Sequence, residues 1–211
     1  MVDTAIGELD ENARVVTITS TGGSGVDAIR LAEAMQARDI SLAVKDICAS
    51  ACAHFLFLPA DRALVHADSV VLFHHTDFAL ANAARRAGLD PSDASLARAE
   101  IQRKFYQSRS LPVSMLKDPL ARIQPLCVGR LADERLYVTT GLRTYLPSRH
   151  AIDGLRARPL EGYWPSSASE AGPIAERYAS ESVPLVYGGT EDLIDLPSLP
   201  QCSTLPPNPE N

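Results

Sequence analysis

Ser50 stands in the run Cys48-Ala49-Ser50-Ala51-Cys52, at the head of a nearly all-apolar stretch, 50–58. A serine at the start of a buried helix is well placed as a nucleophile. The helix N–H groups and macrodipole stabilise negative charge developing beside it. Ala49 and Ala51 leave room for a substrate. A plain helix N-cap would use the same residue type at the same place. Earlier in the chain, Ser20-Thr21-Gly22-Gly23 follows a short β-branched run. Glycines after a strand expose backbone N–H groups that side chains would otherwise shield, and such groups hold an oxyanion. The run GGSG is not G-x-G-x-x-G, and no lysine follows it, so the turn is not a nucleotide loop.

A serine nucleophile needs a general base. The candidates are His54, His66, His74, His75 and His150. His74 and His75 end the run VVLFHH, where alternation sends one side chain to each face of a strand. His54 lies four residues after Ser50 on the same helix face and competes locally.

The elements that must carry these residues are legible in the apolar periodicity. Residues 15–18 read as a buried strand. Residues 26–38 place Ala28, Leu31, Ala32 and Met35 on one helical face. Residues 40–44 read as the next strand, and a β-α-β unit of this length predicts parallel pairing with a right-handed crossover. Residues 50–58 predict a buried helix, followed by short strands at 62–66 and 69–75. Strand and helix alternating in this way is an α/β fold. Further along, the pattern predicts a helix over 78–87 closed by Gly88. It predicts a second helix opened by Asp90 and Pro91 and running to Gln107, and a short one from Pro112. A last helix over 133–140 and a strand over 142–146 complete the domain, 1–155. Residues 156–211 are rich in Ser, Pro, Gly and Glu and read as a partly disordered extension, with strand character only at 183–187.

The net charge of −6 gives no field favouring nucleic acid or an anionic membrane. The sequence carries no apolar run long enough to span a bilayer and no visible signal peptide. The four cysteines, Cys48, Cys52, Cys127 and Cys202, do not follow a zinc pattern, and neither a metal nor a cofactor is expected. Free thiols and disulfides both fit their spacing, so the compartment stays open.

The order of motifs resembles the Clp-peptidase/crotonase superfamily. That order is strand, S-x-G-G, amphipathic helix, strand, C-x-S-A-C on a helix, a loop with Arg62, and a strand ending in His. The likeness spans roughly 5–147 and is greatest to the often exported branch with C-x-S-A-C around the serine. It implies a crotonase-like spiral of β-β-α units and self-assembly into rings or stacked trimers. It implies Ser50 as nucleophile and His74 as base, with His75 as fallback. Gly23, with Gly22 adjacent, and Ala51 would supply the oxyanion hole. Thr21 stands where the peptidases usually have proline. The position matching the family's acid falls near Val128-Gly129, where there is no carboxylate; Asp133, Asp118 and Glu134 are the candidates for a third member. Axial loops for an unfoldase are not recognisable. The resemblance also suggests a periplasmic or exported protein, with a cytoplasmic one open.

The expected function is a serine peptidase or esterase acting on a peptide or acyl substrate as a homo-oligomer. The alternative is a catalytically decayed scaffold or binding protein on the same fold. A crotonase-type acyl-CoA enzyme is third, since no carboxylate base sits near either motif.

Overall fold

In a computed structural model, residues 2–9, 12–178, 184–188 and 192–203 are described. Nine-residue β2 (Ser41–Ala49) is the spine of the fold. It pairs in parallel with β1 (Val15–Ser20) on one side. On the other side its first half pairs with β3 (Ala63–Val65) and its second half with β4 (Val70–Leu72), both parallel. β3 continues to β8 (Glu161–Gly162), again parallel. Strands buried on both faces read as continuous apolar runs, and β2 does so at Leu42–Val44 and Ile47–Ala49. The α/β class and the parallel β-α-β unit expected from the sequence are present.

Helix α1 (Val2–Glu8) precedes β1. Helix α2 (Gly25–Gln36) crosses from β1 to β2, and Ser24 caps it by accepting from Asp27 N at 3.2 Å. The buried helix expected over 50–58 exists with π winding, over Cys52–Phe57, and every residue of it is buried. Helices α3 (Asp77–Arg86) and α4 (Asp93–Ser108) pack on each other beyond β4. Gly88 follows α3 at φ +76°, as a helix-terminating glycine should. Asp90 does not open α4; Ser92 caps it, its side chain accepting from Ser95 N at 3.4 Å, and the helix begins at Asp93. A 3₁₀ turn (Val113–Leu116) and α5 (Asp118–Arg122) follow.

The helix expected over 133–140 is instead the second arm of a hairpin. β5 (Pro125–Arg130) pairs antiparallel with β6 (Leu136–Thr140). Asp133, at the start of the expected helix, closes the turn by accepting from Arg135 N at 3.1 Å. Glu134 sits in the left-handed region at φ 66°. Tyr137, Val138, Thr139 and Thr140 are aromatic and β-branched, which suits a pleated surface better than a helix.

The tail carries more structure than its composition predicts. After β7 (Thr144–Leu146) and α6 (Arg149–Leu155), whose Ile152 is buried in the core, α7 (Ala168–Glu176) packs against β2 and β4, and β9 (Leu185–Tyr187) pairs with β7. The start of the strand expected over 183–187 lies outside the described residues. Leu160, Trp164, Ile174, Leu196 and Leu199 all join the common core. Both cysteine pairs are disulfides, Cys48–Cys52 and Cys127–Cys202.

The tail also holds the π-helix. Buried Arg156 donates to the carbonyls of Phe57 and, at 2.9 Å, of Ala60, and lies 5.0 Å over the Phe57 ring. A guanidinium on the last carbonyls of a helix satisfies orphan acceptors and opposes the negative end of the dipole. Trp164 stacks on the same Phe57 ring at 5.7 Å and donates to Pro147 O at 2.9 Å.

Candidate active site

The site forms where β2 ends. Ser50 takes the left-handed conformation, φ 57°, between the strand and the π-helix. A non-glycine residue there is uncommon, and a strained strand-to-helix turn is how a nucleophilic serine is raised above a sheet. Ser50 N donates to Leu72 O at 2.9 Å, so β4 fixes its backbone. The N-cap explanation fails on geometry. An N-cap residue is extended, Ala51 occupies the cap position, and no side chain caps the π-helix. The Cys48–Cys52 disulfide closes a short ring around Ser50.

The glycine turn presses on this serine. A Cβ on Gly22 would lie 2.5 Å from Ser50 Cβ and 2.9 Å from its Oγ. Gly22 N donates to Ser20 Oγ at 3.1 Å, so the amide expected to help form an oxyanion hole is already used. Gly22 serves contact instead. The N–H groups of Gly23 and Ala51 have no hydrogen-bond acceptor among the described residues.

Ser50, Ala51, Gly23, His54, His74 and His75 line one cavity of about 180 Å³. No hydrogen bond joins Ser50 to His74 among the described residues. The segment carrying the histidines is pinned at successive points. Phe73 exchanges two 2.8 Å backbone bonds with Tyr145. Thr76 caps α3 and donates to Leu116 O at 2.8 Å. Asp77 accepts from Arg98 Nε at 3.0 Å and Gln102 Nε2 at 2.7 Å. His74 and His75 face each other with ring centroids 4.5 Å apart.

His54 is not a rival base. Its Nε2 lies 3.1 Å from His74 O, and its Nδ1 lies 3.2 Å from Tyr106 Oη. An Nε2–H donating to that carbonyl leaves Nδ1 as acceptor for the tyrosine. His54 thus ties the π-helix to the backbone of His74. Its role was hidden in the sequence because Tyr106 arrives from a helix 52 residues away.

None of the three acid candidates reaches His74. Asp118 is buried, pairs with Arg122 Nε at 2.8 Å and accepts from Ile194 N at 2.8 Å. Asp133 and Glu134 lie in the β5–β6 turn, exposed. The carboxylate the sequence reading missed is Asp77, in the same cavity as Ser50, yet both its oxygens are taken as described. His74 Nδ1 is buried and has no partner. Among the described residues no cluster of His, Cys, Asp and Glu is arranged to hold a metal, and no helix is long and apolar enough to cross a membrane.

Burial pushes His54 down to about 3, His74 to about 3 and His75 to about 4, with a neighbouring histidine adding to the effect in each. All three are therefore neutral near pH 7, the form a base requires. The folded state resists protons that the unfolded chain binds below about pH 6.5. Stability is thus fully present above that pH and falls as the pH drops toward 4. His54, the most buried of the three, alone contributes a slope of about 1.4 kcal/mol per pH unit in this window. Urea midpoints at pH 7.0, 6.0 and 5.0 should fall accordingly in wild type. A flat series would show that these rings titrate alike in the folded and the unfolded chain.

Compared with known proteins, the chain matches no family model and no curated protein sequence.

Proposed function

We propose that the chain is a serine hydrolase, a peptidase, built on a Clp/crotonase-like spiral. The observation that carries this reading is the left-handed Ser50. It is uncapped at the head of a buried helix, in one cavity with His74 and the unbonded N–H groups of Gly23 and Ala51. His74 takes the proton of Ser50 as the hydroxyl attacks a carbonyl, with His75 as the alternative base. The two N–H groups stabilise the oxyanion, and water then hydrolyses the acyl-enzyme. Closure of a catalytic hydrogen bond on substrate binding is common. Without a triad acid the pair is slow, since an unpartnered imidazole is neither oriented nor stabilised when charged. Two disulfides suit an oxidising compartment, in line with an exported protein. Assembly into rings or stacked trimers belongs to the same reading.

A fluorophosphonate probe followed by intact mass tests it, beside Ser50→Ala and His74→Ala. We expect one adduct per chain in wild type and none in Ser50→Ala. A folded wild-type protein that takes no adduct would favour the scaffold reading, for which the missing acid is the supporting observation.

A further inference from the structure

A second cavity, of about 380 Å³, opens at the glycine turn, in the groove between β1, α2 and the π-helix. That volume is within the range of small-molecule sites, roughly 300–1,000 Å³, and holds on the order of ten non-hydrogen atoms. Its walls are Ile18 of β1, Ala28 and Leu31 of α2, and Leu56 of the π-helix. Ile18 and Leu31 are part-exposed, so the groove is open to solvent. Asp27, the one charged residue among those lining it, pairs with Arg30 at 3.5 Å.

The two cavities meet at Gly23 and Ala51, which line both. The N–H groups of these two residues have no acceptor among the described residues. Ser50 and His74 line only the first cavity and Gly22 only the second, and Gly22 packs on Ser50 between them. The chemistry of the two is opposite. His54, His75, Asp77 and Gln102 make the first polar, while the second is walled by hydrocarbon. A carbonyl oxygen held by the N–H groups of Gly23 and Ala51 brings its carbon to Ser50, with one substituent toward each cavity. The leaving atom must receive the proton that His74 took from Ser50, so the leaving group belongs in the polar cavity with His74. The acyl substituent is left with the apolar groove.

We infer that the groove between α2 and the π-helix is the acyl pocket of this site, and that the substrate carries a large apolar group on the acyl side of the bond cleaved. The bond from Ser50 Oγ to the carbonyl carbon forms, and the bond from that carbon to the leaving nitrogen or oxygen breaks. The proton of Ser50 passes through His74 to the leaving atom. The inference rests on the hydrolase reading for this chemistry, and on the cavity alone for the binding of the apolar group. That group has two sources, the side chain of a peptide residue or the hydrocarbon chain of an acyl ester.

Two substrate series read the pocket on wild type, each corrected by Ser50→Ala. One is p-nitrophenyl esters from acetyl to dodecanoyl. The other is acetyl-aminoacyl coumarin amides with Gly, Ala, Leu or Phe before the amide bond. We expect kcat/KM to rise about threefold per methylene until the cavity is filled, and then to fall. Leu31→Trp, whose larger side chain enters the groove rather than the core, should move the best substrate to a shorter chain. A rise in the amide series marks a peptide side chain; a rise confined to the esters marks an acyl chain. Leucine-methyl NMR spectra of Ser50→Ala protein read binding without catalysis, with Leu31→Met for assignment. We expect a saturable shift of the Leu31 and Leu56 methyls with octanamide and little with acetamide. Ser50-dependent hydrolysis that is indifferent to acyl size overturns the pocket and leaves the hydrolase reading standing. Absence of a saturable methyl shift overturns the pocket as well. A shift with no Ser50-dependent hydrolysis in either series leaves the apolar site standing and overturns the hydrolase reading.

Discussion

Gly22→Ala should cost about 3 kcal/mol of stability and abolish fluorophosphonate labelling. Two penalties add. At φ +117° an L-residue is strained, worth about 1–3 kcal/mol. The new methyl would also lie 2.5 Å from Ser50 Cβ and 3.1 Å from Ala49 O. Real Cβ atoms do not approach so closely, so the turn or the serine must move, at a further cost of about 1–3 kcal/mol. Gly23→Ala is the control. Its φ is +132°, but its Cβ would meet nothing within 4 Å, so it carries the first penalty without the second. Urea unfolding of both variants checks this. Equal losses in the two would mean that the Gly22–Ser50 contact has no energetic weight, and the close approach of turn to serine would lose its role.

Replacing Cys127 and Cys202 together by serine should cost about 4 kcal/mol, with a correspondingly large drop in Tm. The bridge spans 75 residues, and a long closed loop removes much entropy from the unfolded chain. Around it, Val128 N donates to Pro200 O at 3.1 Å and Cys202 N to Val128 O at 2.9 Å, so the bond seals a short stretch of pairing. The Cys48→Ser/Cys52→Ser variant closes a much smaller loop and should lose only about 2 kcal/mol by the same reasoning. Its larger effect should fall on labelling, since the ring encloses Ser50. Calorimetry on the two pairs decides the order. A reversed order would mean that the tail holds to the core without its bridge, through contacts such as Asp118 with Ile194 and Arg86 with Asp195.

What the sequence determined by itself is local. Apolar periodicity marked the β1–α2–β2 unit, the buried helix after Ser50 and the paired α3 and α4, because each buries its own stripe on neighbours close in the chain. The C-x-S-A-C run and the S-x-G-G turn marked the two edges of the site for the same reason. Tertiary structure decided everything that depended on a distant partner. Residues 136–140 became a strand because β5 was there to pair with them, and Asp133 went into the turn between the two. Leu160, Trp164, Ile174, Leu196 and Leu199 entered the core because this part of the chain finds the π-helix and α3 in space, through Arg156, Trp164 and the carbonyl of Leu196, while their Ser- and Pro-rich surroundings show no periodicity. His54 lost its candidacy as base to Tyr106 and the carbonyl of His74, neither adjacent in sequence. The acid candidates were placed elsewhere by the hairpin and by Ile194. Charge and hydrogen bonding act through space, so the partner of a histidine is settled only once the chain has folded around it.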